Sequence, residues 1–286
     1  MPLAGLTIIG ESINDSVPST HAFYEEENYD AIAQVARSQT DGGAGYIDVN
    51  VGSRPASVMQ KTVLAVQKAT TLPLAIDSPD YEQAQAGLAA CDSERPRPIL
   101  NSISQLRMEM FDLYKQTPFC PILLLSEYKT EQGDSASAAT AEQSYGAACD
   151  LFEKCKSLGM ANDQIIFDPG VAPLAGDTEG NLARLIRTME LIHANPDMKG
   201  VHASVGLSNF TVMLPAKTKS GAVVKSPLES AFLTLTMPLG MDHVIGSVKR
   251  KYQLLAEEDP ALLCVRECLE KGGFESIARV RRFIRS

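Results

Sequence analysis

The sequence lacks several features that would each place it in a known class of protein. Its formal net charge is −9 at pH 7, whereas a nucleic-acid-binding protein needs a clustered basic face. Two basic stretches, at 247–252 and 279–286, are interpreted as solvated faces of late helices, with a docking patch for an acidic protein as the alternative. No apolar run approaches the roughly 20 residues of a membrane span. We therefore expect a globular protein that binds neither nucleic acid nor membrane.

Signals for metal binding and secretion are also lacking. The six cysteines occur singly, without a CxxC pair, and are interpreted as buried thiols. Cys264 and Cys268, four residues apart, would need further ligands to bind a metal. No HxH or HExxH motif occurs, so no metal site is predicted; His202 is assigned to the core or surface and His243 to the start of a strand. The first 12 residues have no charged segment followed by a long apolar one, so a cytoplasmic protein is expected.

Eight short apolar runs, each bounded by turn residues, alternate with segments of helical spacing. This alternation over 286 residues predicts a parallel (β/α)8 TIM barrel that forms a single domain over 1–286. An open doubly wound sheet is the alternative, but no glycine-rich turn follows the first run, where Gly10 precedes Glu11 and Ser12. The runs occupy residues 6–11, 46–52, 72–78, 98–104, 120–128, 165–170, 201–209 and 243–247.

Two long connections interrupt the alternation. Residues 129–143 are polar, small and without periodicity, so they are predicted to form a long loop with a short helical end, a candidate lid. Residues 210–230 form the second long connection.

Polar residues stand at the carboxyl ends of most of the runs, where a buried strand should stay apolar. In a TIM barrel these ends converge on one face, and burying such groups costs several kcal/mol unless a ligand or neighbours satisfy them. Helix capping is the alternative, especially for Asp77 and Ser102, but capping needs only one residue per loop. So many polar strand ends predict a binding site. They are Glu11, Asn14, Asp48, Asn50, Asp77, Ser78, Asn101, Ser102, Glu127, Asp168, Ser208 and Asn209.

These side chains suit a small planar heterocycle. A carboxylate can accept two hydrogen bonds from a ring N–H and an adjacent exocyclic NH2 group, as a pterin or a guanine-like ring presents them. A nucleophilic triad is not indicated, because GxSxG is absent and none of the four histidines has a partner in a recognisable motif.

Six motifs, in order, resemble the pterin-binding methyltransferases of the methyltetrahydrofolate:corrinoid type. They are IGESIN at 9–14, GAGYIDVNVG at 43–52, LAIDS at 74–78, LNSIS at 100–104, FDPGV at 167–171 and GLSN at 206–209, followed by FLTLTMPLGMDHVI at 232–245. The resemblance spans nearly the whole chain. It implies a TIM barrel that binds tetrahydrofolate in its C-terminal mouth and forms a homodimer.

The resemblance also implies roles for the residues that match. Asp77, Asn101 and Asp168 match the carboxylates and the amide that recognise the pterin. Asp48 and Asn50 match a motif with a supporting role in the same pterin site.

The GLSN motif carries the expected chemistry. Gly206 and Ser208 would let the backbone approach the ring, and Asn209 matches the asparagine that hydrogen-bonds the methyl-bearing nitrogen, so Asn209 is the expected catalytic residue. Its amide can donate or accept and could therefore stay bonded to that nitrogen in either direction of transfer. Glu127 or a water molecule is the expected proton relay.

The methyl partner implied by the resemblance is a corrinoid, cobalamin. Asp242 and His243 are adjacent, whereas the cobalamin-carrying signature has a residue between Asp and His, so the corrinoid is expected to arrive on a partner protein. The chain also lacks the zinc region of cobalamin-dependent methionine synthase. The predicted reaction runs from methylcob(III)alamin to tetrahydrofolate and gives 5-methyltetrahydrofolate, in anaerobic demethylation of compounds such as glycine betaine or methoxyaromatics.

Three alternatives remain beside this reaction. The first is the reverse transfer in acetogenic carbon fixation. The second is a dihydropteroate synthase, but Pro173 and Leu174 stand where those enzymes have a lysine region, and their C-terminal Arg-x-His is not found. The third is a non-catalytic folate-binding barrel, against which Asn209 argues, because a binder has no need of a group at the reacting nitrogen.

Overall fold

Eight parallel strands form the predicted TIM barrel in a computed structural model that describes residues 3–130 and 132–285. The strands lie in the order β10-β1-β2-β3-β4-β5-β8-β9. They are β1 (Thr7–Asn14), β2 (Tyr46–Asn50), β3 (Leu74–Asp77), β4 (Ile99–Ile103), β5 (Cys120–Leu124), β8 (Ile166–Asp168), β9 (His202–Ala203) and β10 (His243–Gly246). A separate antiparallel hairpin consists of β6 (Glu127–Lys129) and β7 (Ser135–Ser137).

Helices surround the strands. The α-helices are α1 (Pro18–Glu25), α2 (Tyr29–Asp41), α3 (Ala56–Ala69), α4 (Tyr81–Ala90), α5 (Ala141–Ser157), α6 (Asn181–Ala194), α7 (Leu207–Phe210), α8 (Lys225–Thr236), α9 (Pro260–Lys271) and α10 (Gly273–Arg285). The described part of the chain also contains five 3-10 helices: Met108–Lys115, Asn162–Gln164, Leu174–Gly176, Pro196–Met198 and Met237–Leu239. Among the described residues, no helix combines the length and the apolar character needed to cross a membrane.

All eight predicted runs overlap a barrel strand. The run at 6–11 is too short, because β1 extends to Asn14, and two other runs extend well beyond their strands. The run at 120–128 leaves the barrel after Leu124, and its last residues enter the β6–β7 hairpin, so the loop predicted at 129–143 is partly strand. The run at 201–209 is a strand only over His202–Ala203 and then forms α7. In both places the polar or glycine-containing ends of the runs turn away from the barrel wall.

The core lies in two layers, as expected for a barrel. Inside the barrel, one side chain from each of five strands packs in a closed cluster of Ile9, Ala75, Ile99, Ile122 and Ile166. The other side chains of the strands pack outward against the helices in two larger clusters. Alternation along each strand thus buries both faces of the sheet.

The barrel closes at a seam between β9 and β10. Strand β10 pairs with β1 over four residues, whereas it meets β9 and the residues after it only through isolated bridges, Ala203 to Met241 and Gly206 to Ile245. Because β9 is two residues long, the seam has less regular backbone pairing than the β1–β10 junction.

Candidate functional site

A polar cavity of about 570 Å³ opens at the carboxyl ends of the barrel strands. Seven of the eight site residues predicted from the sequence line it, and the eighth, Asn50, donates to one of those seven. The seven come from different strand ends and loops, so the barrel brings together groups that are far apart in the sequence. They are Asp48, Asp77, Asn101, Asp168, Gly206, Ser208 and Asn209.

Two carboxyl groups form part of the cavity wall side by side. Asp48, on β2, is 1% exposed, and neither of its carboxyl oxygens makes a well-formed hydrogen bond to any residue that the structure describes. Burial, followed by repulsion from Asp77, raises the pKa of Asp48 well above its usual range, although Asn101 opposes the rise. Two adjacent carboxyl groups cannot both ionise readily, so the charge of one opposes the ionisation of the other.

Asp77 ends β3 and is the second member of that pair. Asn50 Nδ2 donates to Asp77 Oδ2 at 2.9 Å, and this bond counteracts the burial that raises the pKa of Asp77. The capping alternative does not apply to Asp77, because Asp80 caps α4 by accepting from Gln83 N at 2.8 Å. Ser78 takes part in the same turn and donates to Gln83 Oε1 at 2.6 Å.

Asp168 ends β8 and adds a third carboxyl group, a buried one, to the cavity wall. One of its oxygens accepts a hydrogen bond of 2.7 Å from Gly170 N, in a turn where Gly170 has φ +72. Burial raises the pKa of Asp168 to about 7, despite that bond and the nearby charge of Arg184. Arg184 holds the turn by donating to Pro169 O at 2.8 Å and Gly170 O at 3.2 Å. Sequence analysis did not assign a role to Arg184, which lies on α6.

Asn209 stands at the rim of the cavity, on the short helix α7. Leu207 and Phe210 bury the other side of this helix, and Phe210 packs on Phe232 with ring centroids 5.0 Å apart. Asn209 is exposed, and its side-chain amide makes no hydrogen bond to any residue of 3–130 or 132–285. The sequence placed Asn209 at a strand end, whereas the helix presents it to the cavity.

A larger residue at position 206 would displace the Asn209 amide. A Cβ atom added at Gly206 would lie 2.9 Å from Asn209 Nδ2. Glycine at this position therefore lets the amide take its place at the rim.

Glu11 also lines the cavity, from the middle of β1. Its carboxylate accepts a hydrogen bond of 2.5 Å from Ser208 Oγ. Burial raises the pKa of Glu11, while Ser208 and Arg250 oppose the rise. The sequence marked Glu11 as a polar residue in the first strand but assigned it no role, because its partner lies at the other end of the chain.

A buried carboxylate supports α7 from behind. Glu229, on α8, is 0% exposed and accepts a hydrogen bond of 2.5 Å from Thr211 Oγ1, and it lies 3.2 Å from Arg250 Nε. Sequence analysis missed Glu229. A single carboxylate within the largely apolar helix 225–236 is the signal that could have found it.

Glu127 lies outside this arrangement. It belongs to the β6–β7 hairpin, pairs with Arg107 at 2.8 Å, and is not among the residues that line the cavity. The expected proton relay through Glu127 therefore has no support in the structure. Of the two carboxylates, Glu11 is the one connected to the helix that carries Asn209.

A second polar cluster lies at the opposite end of the barrel, where no metal site was expected. Asp242 Oδ2 is 2.6 Å from His202 Nδ1, and Asp242 Oδ1 is 2.8 Å from His243 Nδ1. His202 and His243 each begin a strand, so His243 is the strand-start residue that the sequence predicted. No short sequence motif contains both His202 and Asp242, because 40 positions separate them.

Comparison with known proteins identifies the family. Residues 13–246 match the family described as pterin binding enzyme. The chain belongs to the pterin-binding enzymes. A methylcorrinoid:tetrahydrofolate methyltransferase of Eubacterium limosum is 27% identical over 250 residues, which are 84% of each chain. This similarity agrees with the resemblance that the six sequence motifs indicated.

Solved structures show the same fold for this pterin-binding enzyme. A dihydropteroate synthase of Xanthomonas albilineans with 4-aminobenzoic acid is 15% identical, with a TM-score of 0.57 over 93% of this chain and 92% of the other. A Yersinia pestis dihydropteroate synthase with a sulfonamide drug is 14% identical, with a TM-score of 0.58 over 97% and 92%. At these identities the likeness concerns the barrel and not the reaction.

Proposed function

We propose that this pterin-binding enzyme transfers a methyl group between tetrahydrofolate and a corrinoid carried by a partner protein. The observation that carries the proposal is the exposed Asn209 amide at the rim of a cavity whose wall holds the buried carboxyl groups of Asp48 and Asp168 and the half-buried one of Asp77. The named activity of the Eubacterium limosum relative supports the same reaction class.

The buried groups fit a pterin ring. The cavity of about 570 Å³ falls within the range of roughly 300–1,000 Å³ for small-molecule sites. Asp48 has two carboxyl oxygens without a well-formed hydrogen bond, and only one oxygen of Asp168 is occupied by Gly170. Such oxygens cost free energy until donors reach them, and a pterin offers adjacent N–H and NH2 donors. Asn101, buried beside them, supplies both a donor and an acceptor.

Asn209 acts at the nitrogen that gains or loses the methyl group. In transfer to the pterin, the nitrogen–methyl bond forms as the cobalt–methyl bond breaks, the electron pair stays with cobalt, and the nitrogen loses its proton. A side-chain amide can accept a hydrogen bond from the pterin nitrogen when that nitrogen carries a proton. It can donate a hydrogen bond to the same nitrogen when the nitrogen presents a lone pair. Asn209 can therefore stay bonded through the reaction and stabilise the changing charge in its transition state.

The corrinoid is a substrate that reaches the cavity from outside. Val212 is 56% exposed and Met213 is 66% exposed, and both follow Asn209 in the chain. Val212 also lines the cavity. These apolar side chains offer a contact surface for the partner-borne ring beside the reacting atoms.

The direction and the biological setting belong to the proposal as well. We favour transfer from methylcob(III)alamin to tetrahydrofolate in anaerobic demethylation, as with glycine betaine or methoxyaromatics, over the reverse transfer in carbon fixation. Dihydropteroate synthase activity is disfavoured by Pro173 and Leu174 in place of a lysine region. The single domain over 1–286, the homodimer and the cytoplasmic location stay predictions.

The first experiment is an anaerobic incubation with tetrahydrofolate and methylcob(III)alamin, free and bound to a corrinoid protein. We expect pterin-dependent loss of the methyl–cobalt absorbance and equimolar formation of 5-methyltetrahydrofolate, both greatly reduced in Asn209→Ala. Tetrahydrofolate binding measured by calorimetry, together with no transfer from either corrinoid, would identify a non-catalytic folate binder instead.

A further inference from the structure

The cluster at the base of the barrel, formed by His202, Asp242 and His243, resembles a set of metal ligands. Each residue offers one ligand atom, and these three atoms lie within 4.8 Å of one another. The side chains are partly accessible, at 30% for His202, 34% for Asp242 and 11% for His243. A cavity of about 280 Å³ that His202 lines gives solvent a path to the cluster.

The two imidazoles face one carboxylate through the same type of nitrogen. Both Nδ1 atoms point at Asp242, one at each oxygen. Two imidazole nitrogens and a carboxylate are a borderline ligand set that suits Zn²⁺ and its first-row neighbours, while Mg²⁺ and Ca²⁺ prefer oxygen ligands alone. A water molecule would complete a four-coordinate site.

Two groups besides Asp242 lie close to the His202 ring. One is the backbone of Asp163. The ring of His243 packs edge-on against that of His202, with centroids 4.9 Å apart, so the two rings lie side by side.

The distances need only a small adjustment to admit an ion. Zinc–ligand bonds of about 2.0–2.2 Å place neighbouring ligand atoms about 3.3 Å apart in a tetrahedral site. The nitrogen–oxygen separations here are 2.6 and 2.8 Å, so the two pairs must open by about 0.7 and 0.5 Å. The two imidazole ligand atoms, which lie within 4.8 Å of each other, must reach the same spacing of about 3.3 Å. Rotation of the accessible Asp242 and His202 side chains is enough for this change.

The position of the cluster indicates what the ion would do. His202 begins β9 and His243 begins β10, the two strands that meet only at isolated bridges. An ion held by both would tie the barrel together at its seam. The site lies at the strand starts, whereas Asn209 and the carboxyls of the pterin cavity lie at or beyond the strand ends.

We propose that His202, Asp242 and His243 bind one divalent transition-metal ion of the Zn²⁺ class, which closes the β9–β10 seam and stabilises the barrel. The ion has no part in methyl transfer. The inference is therefore independent of the proposed reaction, and a protein that failed to transfer methyl groups could still bind the metal here.

The test uses untagged full-length protein treated with EDTA and then dialysed. Calorimetry with ZnCl2 at pH 7.5 should show one site per chain with a micromolar or lower Kd. A hundredfold excess of Zn²⁺ over Kd should raise Tm by roughly 5 °C, whereas MgCl2 should not. The matched variants are His202→Asn and His243→Asn, and the control is His193→Asn, an exposed histidine that lines the same cavity but lies outside the cluster.

We expect each cluster variant to weaken Zn²⁺ binding at least tenfold and to abolish the rise in Tm, with the control unchanged. Circular dichroism checks that the variants are folded. If a histidine variant is unfolded, Asp242→Asn replaces it in the test. Absence of stoichiometric binding in the parent protein would overturn the proposal. Equal affinity in the parent and in folded cluster variants would overturn it as well, because the ion would then bind elsewhere.

Discussion

The Ser208 hydroxyl donates a 2.5 Å hydrogen bond to the Glu11 carboxylate, across 197 positions of the sequence. Glu11 belongs to the first barrel strand and Ser208 to the helix that carries Asn209. The bond therefore connects the proposed catalytic helix to the barrel wall.

Loss of this bond should lower the free energy of unfolding by an amount that depends on pH. In Ser208→Ala, Glu11 stays buried without its donor, which should lower the free energy of unfolding by about 1–3 kcal/mol. Burial already raises the pKa of Glu11, so the folded state holds this proton more tightly than the unfolded state does. The stability from that proton is present below the unfolded pKa and lost as the pH rises through the folded one. The variant raises the folded pKa further, so its deficit should be larger at pH 8 than at pH 5.

Urea unfolding at both pH values measures this effect. Ser53→Ala, at an exposed serine, is the control and should change stability little at either pH. A deficit in Ser208→Ala that is the same at pH 5 and pH 8 would show that Glu11 does not depend on Ser208.

Substitution of Asn209 should mainly reduce kcat, whereas substitution of Asn101 should mainly reduce tetrahydrofolate affinity. Asn209→Ala removes the amide at the rim, and we expect kcat to fall by about 10²–10³-fold with tetrahydrofolate affinity within a few-fold of the parent. Asn101→Ala removes a buried amide from the cavity wall, so the main loss should be in affinity. Steady-state kinetics and calorimetry on both variants distinguish the roles, and equal losses of kcat and affinity in Asn209→Ala would contradict the catalytic assignment.

Gly206→Ala should disturb Asn209 without disturbing the fold. Its Cβ would lie 2.9 Å from Asn209 Nδ2, and the flexible amide can move away at little cost in stability. We expect kcat to fall by at least tenfold, while Tm stays within a few degrees. Gly146→Ala is the control: the added Cβ meets nothing within 4 Å in α5, so activity should be unchanged and stability should rise by about 0.5–1 kcal/mol.

Asp168→Asn should increase the stability of the protein at high pH and reduce its affinity for the pterin. Burial raises the pKa of Asp168 from the usual 3.8 of an aspartic acid to about 7. The stability that its proton provides is therefore present below about pH 4 and lost as the pH rises through 7. The variant cannot ionise. We expect it to be more stable than the parent by about 1–3 kcal/mol at pH 8 and equal to it near pH 4, with pterin affinity reduced at least tenfold.

Chemical unfolding across pH 4–8, with calorimetry for tetrahydrofolate, checks both halves of this prediction. A stability difference that does not change with pH would mean that Asp168 titrates in the folded protein much as it does in the unfolded chain.

Local sequence pattern predicted much of the site because the functional side chains of a TIM barrel lie at the carboxyl ends of its strands. Asp48, Asp77, Asn101 and Asp168 each stand at or near the carboxyl end of an apolar run, and parallel strands bring those ends to one face. The same reasoning extended the run at 201–209 too far, because periodicity cannot separate a short strand from the helical turn that follows it. The β6–β7 hairpin was missed because each of its strands has only three residues, too few to show a period.

The amino-acid sequence by itself determined the eight strands, the polar strand ends and the motifs of a pterin-binding enzyme, since each depends on residues close together in the chain. Only the tertiary structure decided the pairs that join distant residues: Glu11 with Ser208, Thr211 with Glu229, and His202 with Asp242. The physical reason is barrel closure. Packing β1 against β10, and β10 against β9, places the two ends of the chain side by side, and no local pattern records which side chains then meet.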